Sequence, residues 1–174
     1  MRIAILAPVW FPVPPTGYGG IEWVVSLLAD GLVDAGHDVT LFAAGESKTK
    51  AKLVSVYAHA PSEWIGNSFW ELRHALACFE RASDFDVIND HSGPVSATIG
   101  HAVATPVVHT VHGPLDGEPG ELYEQVCRVA ITGVPQAIDS IMTSPKGSSH
   151  SIGNRVARAF WSRSTFSPCE TSPR

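Results

Sequence analysis

Apolar positions along the chain change their period several times, and each change marks an element. The opening Arg2-Ile3-Ala4-Ile5-Leu6-Ala7 is a continuous β-favouring run stopped by Pro8, the pattern of a strand buried on both faces of a parallel sheet. A loop rich in proline and glycine follows, from Pro12 to Gly20. Val24, Leu27, Leu28, Gly31, Leu32 and Ala35 then recur at helical spacing, and Gly36 stands where a C-cap should. Val39-Thr40-Leu41-Phe42-Ala43 is a second short apolar run, so the first 43 residues predict a strand–helix–strand unit with a right-handed crossover.

The alternation continues. Lys48, Lys50 and Lys52 mark a solvated turn before a third strand candidate, Leu53 to Tyr57. Phe69 to Arg81 predicts a helix with Phe69, Leu72, Leu76 and Phe79 on its apolar face, and Asp86-Val87-Ile88-Asn89 a short buried strand. Val95 to His101 predicts a short helix and Pro106 to Val111 a strand. Gly120 to Val129 predicts a helix whose first turn is acidic (Glu118, Glu121), as the macrodipole favours. Strands alternating with helices indicate an α/β fold, a Rossmann-like doubly wound parallel sheet. No fixed short repeat is present, so a solenoid is not indicated.

Beyond Ala130 the pattern dissolves. Ile131-Thr132-Gly133-Val134 is a last strand candidate, and the prolines at 135, 145, 168 and 173 leave room for one helix, near Ile152 to Trp161. Composition changes at the same place: residues 131–174 contain no leucine, and hold Lys146, Arg155, Arg158, Arg163 and Arg174 against only Asp139 and Glu170. Two unlike pieces result: residues 1–130, one Rossmann-like domain, and residues 131–174, an atypical tail expected to be poorly ordered.

For the whole chain, 44% hydrophobic residues among 174 support a single core and exclude general disorder. The balance of 12 Lys+Arg against 17 Asp+Glu disfavours nucleic acid or an anionic membrane as a partner reached through bulk charge. Cys78, Cys127 and Cys169 are odd in number and show no metal-type spacing, which argues against a disulfide framework and for a reducing compartment. The run Ile3 to Phe11 is too short to span a bilayer and lacks a cationic leader, so the expected location is the cytoplasm.

In an open parallel sheet, ligands bind beyond the carboxyl ends of the strands. After the first strand comes Thr16-Gly17-Tyr18-Gly19-Gly20-Ile21-Glu22, a glycine loop opening onto a helix, where unpaired N–H groups suit a phosphate. The spacing is GxGG rather than GxGxxG, and Ala43-Ala44-Gly45 closes the second strand without a ribose-binding carboxylate, which argues against a nicotinamide cofactor. The alternative is a plain loop whose glycines only turn the chain. Asn89-Asp90-His91 follows the fourth strand and His109-Thr110-Val111-His112-Gly113 ends the fifth, so His91 and His112 converge on the edge that carries the glycine loop, while His109 reads as a core histidine. An imidazole at that edge can hydrogen-bond a sugar hydroxyl or stabilise charge on a leaving phosphate.

Taken in order, the N-terminal strand, the loop into Gly19-Gly20-Ile21-Glu22, the phrase Gly36-His37-Asp38-Val39-Thr40-Leu41-Phe42, then Phe85-Asp86-Val87-Ile88-Asn89-Asp90-His91 and Thr110-Val111-His112-Gly113 resemble the N-terminal domain of family 4 retaining glycosyltransferases of the GT-B fold. The resemblance covers residues 1 to about 130. It implies an enzyme moving a hexosyl group from a nucleotide-diphosphate sugar, with no further cofactor or metal, to a sugar or lipid acceptor, and it leaves room for peripheral membrane contact. It places Gly19 and Gly20 at the diphosphate and Glu22 as a support at the helix start. His91 and His112 fall at the acceptor and reaction centre, His112 near the sugar being transferred, with Gly113 beside it. Tyr18, in the glycine loop, is the aromatic contact candidate; Trp23 and Trp70 fit the core equally well.

The family holds its donor chiefly on a C-terminal domain with a Glu-x7-Glu signature. Glu63 and Glu71 have that spacing but lie in the first domain, where the signature does not belong, and Asp84-Phe85-Asp86 mimics a metal-binding DxD ahead of a buried strand, where a solvated turn is the better reading. The expectation is therefore a half-enzyme, truncated or frame-shifted after about residue 130, weakly active or inactive alone, with the missing domain supplied on another chain. The alternatives are a non-catalytic Rossmann-like binding module and a truncated pseudogene product.

Overall fold

The computed structural model describes residues 1–113, 115–125 and 129–133. Six parallel strands form one sheet in the order β3-β2-β1-β4-β5-β6, with β1 Arg2–Leu6, β2 Asp38–Phe42, β3 Lys52–Val54, β4 Val87–Asp90, β5 Val107–Val111 and β6 Val129–Gly133. The helices are α1 Gly20–Asp34, α2 Ser68–Phe79, α3 Pro94–Gly100 and α4 Glu118–Gln125. Strand order reverses at β1, which has β2 on one side and β4 on the other. That switch point opens a crevice at the carboxyl edge of the sheet.

The two faces of β1 feed two cores. Ile3 and Ile5 join Val25, Leu28, Ala29 and Leu32 of α1, whereas Ala4 and Leu6 join Ala75, Cys78 and Phe79 of α2. Alternation along one strand thus puts α1 and α2 on opposite sides of the sheet. Helix α1 ends as Gly36 predicts: Gly36 has φ 86°, its N–H donates to Val33 O, and the His37 N–H donates to Leu32 O, a Schellman closure.

Several expectations are corrected. The buried face of α1 is Val25-Leu28-Ala29-Leu32; Val24 and Leu27 are only half-buried and Ala35 is exposed. Small residues on this face (Ala29, Gly31) let the helix approach the sheet. On α2 three of the four residues of the predicted stripe are turned outward and Phe79 is buried as expected. Phe69, Leu72 and Leu76 are exposed, and His74, Ala75, Cys78 and Phe79 are buried. Beneath the helix, Phe42 and Phe85 pack edge to face, centroids 5.9 Å apart, and Ala75, Cys78 and Phe79 complete that core. Cys78 is a free, buried thiol.

The third strand stops at Val54 because the Ser55 hydroxyl donates to Tyr57 O (2.6 Å) and accepts from the Tyr57 N–H (3.1 Å), which turns the chain before Tyr57. The helix expected from Gly120 to Val129 instead spans Glu118–Gln125, because Val129 pairs with Val107 at the start of β6. Strand β6 crosses the compositional boundary at 130/131. The helix expected near 152–161 lies outside the described residues. Among the described residues, no helix is long and apolar enough to cross a membrane.

Candidate active site

The candidate site lies at the carboxyl ends of β1, β4 and β5. Asp90, the last residue of β4, is fully buried, and its two oxygens are divided. Oδ2 accepts from His109 Nδ1 of β5 at 2.8 Å, and Oδ1 accepts from the Ser92 N–H at 2.8 Å. The Ser92 hydroxyl in turn donates to Ala7 O at the end of β1 (3.0 Å). The carboxylate therefore ties β5 to the loop that carries His91, and the Ser92 hydroxyl ties that loop to the residue after β1. His109 is the core histidine expected, with no exposure at all.

His91 and His112 stand against each other. Their rings stack at 28° with centroids 5.2 Å apart, and His91 Nδ1 lies 2.9 Å from His112 Nε2. The proton in that bond can be assigned from the surroundings. His91 is 2% exposed and its Nε2 has no partner, so a hydrogen there would be stranded at a cost of about 1–3 kcal/mol. The hydrogen belongs on His91 Nδ1, which donates to His112 Nε2. His112 consequently carries its own hydrogen on Nδ1, the remaining donor of the pair. Burial, reinforced by the neighbouring His112 and His109, holds His91 well below the usual imidazole range. Burial, then the charge of His109, pulls His112 down to about 4. Both rings are neutral at neutral pH, hydrogen-bonding groups rather than fixed cations.

These histidines line a cleft of about 370 Å³ that runs from Ile21, in the first turn of α1, across Val9 and Trp10 to Glu71 on α2 and Gly93 at the start of α3. His74 closes its floor: only 2% exposed, it bonds Ala7 O through Nε2 (3.0 Å), and burial lowers it to about 4. Gly113 also borders the cleft. Burial raises the Glu71 carboxyl above its ordinary value, an effect partly offset by the Trp10 indole N–H.

The glycine loop sits beside this cleft rather than in it. Tyr18 is 91% exposed and Gly20 is exposed, and neither lines the cleft. Gly19 is buried as the N-cap of α1, so close to its surroundings that a Cβ would stand 2.7 Å from the Pro15 ring and 2.8 Å from Glu22 Oε2. The Glu22 carboxylate turns back on its own N–H, and burial raises its pKa. A carboxylate thus already caps the helix terminus where an external anion was expected. Gly19→Ala is expected to cost about 1–3 kcal/mol by forcing Pro15 and Glu22 apart, read as a lower denaturant midpoint at unchanged slope.

Asp84 and Asp86 lie at the opposite edge of the sheet, paired with Arg81 (3.1 Å) and Arg2 (2.8 Å). Sequence reasoning did not single out Asp90 or His74 for the site, and set Glu71 aside as a chance spacing. One signal was available for Glu71: every helix of a parallel α/β sheet starts at the carboxyl edge, so first-turn side chains of α2 fall beside the crevice.

The chain matches the model of Glycosyltransferase Family 4 over residues 18–165, a stretch that includes most of the segment set apart by composition. Among solved structures it is similar to AviGT4, a glycosyltransferase involved in avilamycin A biosynthesis, with 29% identity and a TM-score of 0.43, covering 64% of this chain and 32% of that one. The chain therefore spans about a third of the length of that relative. No curated protein matches it.

Proposed function

Because the chain belongs to glycosyltransferase family 4, we propose that its cleft is the acceptor-side half of a site that moves a hexosyl group from a nucleotide-diphosphate sugar to a sugar or lipid acceptor. The observation that carries this reading is the His91–His112 pair at the cleft, which leaves the neutral His112 ring with a donor at Nδ1. Glycosyl transfer breaks the anomeric C–O bond and leaves charge on the departing phosphate. A donor hydrogen bond that strengthens as that charge develops accelerates the step. His112 would supply it to the sugar or the leaving oxygen, with Gly113 shaping the approach and His91 fixing the ring and contacting the acceptor.

The amides of Gly19 and Gly20 and the α1 dipole would face the diphosphate, with Tyr18 free to close over it. Glu22 must then move or take up a proton, which its raised pKa favours. A second domain, on the same or another chain, would hold the nucleotide, so turnover by these residues alone is expected to be weak.

The test is a split between binding and turnover. Nucleoside diphosphates (UDP, GDP, ADP) are expected to shift the amide resonances of Gly19 to Ile21, and His112→Ala to lower turnover about 100-fold while leaving nucleotide affinity within a few fold. Silent amides with all three nucleotides, or equal loss of affinity and turnover, would sink the proposal. A non-catalytic module that partners another chain is the second reading, favoured by the exposed Trp64, Ile65, Phe69 and Leu72 around the start of α2. Concentration-dependent association of an otherwise inactive protein would select it.

A further inference from the structure

Resting on the glycosyltransferase reading, we infer that Glu71 and Trp10 form an acceptor subsite that admits an uncharged polyol, such as a sugar, and turns away phosphorylated or carboxylated acceptors. Three observations converge. Glu71 reaches into the cleft from α2 and its Oε1 lies 3.5 Å from where a side chain at Gly93 would begin, so the absent Cβ leaves room beside the carboxylate. Trp10, 8% exposed, borders the same space and offers an indole N–H on the side of Glu71. Among the described residues lining the cleft, Glu71 alone has a formal charge at neutral pH, because no lysine or arginine is present and the histidines there are held neutral.

A carboxylate is an acceptor for as many as four hydrogens, and vicinal hydroxyls supply them in pairs. Glu71 is half-buried and accepts from the Trp10 indole N–H, and sugar hydroxyls can take the place of its remaining water without adding charge. An aromatic wall suits the C–H face of a ring. An anionic acceptor meets the opposite field: its charge would stand near Glu71 with no described cation of the cleft to offset it. The carboxylate thus sets acceptor class by exclusion as well as by attraction.

The experiment compares methyl α-glucopyranoside with glucose 6-phosphate, titrated into the protein and followed at the Trp10 indole and Gly93 amide resonances. The neutral sugar is expected to shift both and to bind about tenfold or more tightly than the phosphate. Glu71→Gln keeps the shape and removes the charge, and should narrow the ratio to about threefold or less. The wild-type ratio stands as a test even where the variant folds poorly. Equal binding of the two sugars, no shift at Trp10 with the neutral one, or an unchanged ratio in Glu71→Gln would each overturn the inference. Nucleoside diphosphates that leave Gly19 to Ile21 unmoved while the sugar ratio persists would sink the transferase reading and spare the subsite.

Discussion

Asp90→Ala is expected to cost about 3–5 kcal/mol, a large share of the stability of a domain of this size. The carboxylate is fully buried and serves two donors, His109 Nδ1–H and the Ser92 N–H, each at 2.8 Å. Truncation strands both in a space water does not reach, and each stranded donor costs about 1–3 kcal/mol. Asp90→Asn keeps one acceptor oxygen and so satisfies one of the two donors, which predicts an intermediate loss. Asp86→Ala, which breaks the exposed pair with Arg2 at 2.8 Å, should barely move the unfolding midpoint, because water screens that pair. Denaturant titrations of the three variants check the order. Asp90→Ala equal to Asp86→Ala would mean that Asp90 is not a structural tie. The loss should also reach the cleft, because Asp90 orders the Ser92 turn and His91 precedes it: the His91 and His112 ring resonances should broaden in any Asp90→Ala protein that remains folded.

The parallel sheet was legible because its strands are buried on both faces and therefore read as continuous apolar runs. Arg2 to Ala7 and Pro106 to Val111 coincide with β1 and β5 to within a residue, and Gly36 closes α1 where expected. Helix faces were less legible. On α2 two neighbouring faces compete, Phe69-Leu72-Leu76 and His74-Ala75-Cys78, with Phe79 buried beside the second, and periodicity alone favours the more apolar one. The choice between them is made where the helix meets Phe42 and Phe85, residues brought beneath it only by folding. Tertiary volume overrode local pattern.

The same turn of α2 decides the candidate site. With Phe69, Leu72 and Leu76 outward, Glu71 and His74 line the cleft, which gains a carboxylate and a bonded histidine that the sequence pattern would have put on the surface. Residues at strand ends were different, since the topology alone brings His91 and His112 to one edge. The proton order between them, however, depends on which ring nitrogen lacks a partner, and only the folded arrangement decides that.

Stability is expected to fall as pH drops from about 6.5 to about 4, and the buried histidines set that window. His74 and His112 are lowered to about 4 and His91 well below its ordinary 6.5, each chiefly by burial. In this window the unfolded chain takes up protons at three sites that the folded chain leaves empty. The contribution is therefore complete above pH 6.5 and is lost as pH falls through the folded values. For His74, 2% exposed, a fall from 6.5 to about 4 corresponds to roughly 3 kcal/mol at most. Glu22 and Glu71 act with the opposite sign, because a carboxyl raised above 4.5 favours the folded state as it protonates, and they soften the lower end of the window. Denaturant unfolding at pH 7.5, 6, 5 and 4.5 should show the slope. His74→Gln, which keeps an amide donor for Ala7 O and does not titrate, should lower stability at pH 7.5 and flatten the slope, so that variant and parent converge near the acid end. Parallel curves would show that His74 titrates in the fold as it does in the unfolded chain, so that burial does not hold it neutral.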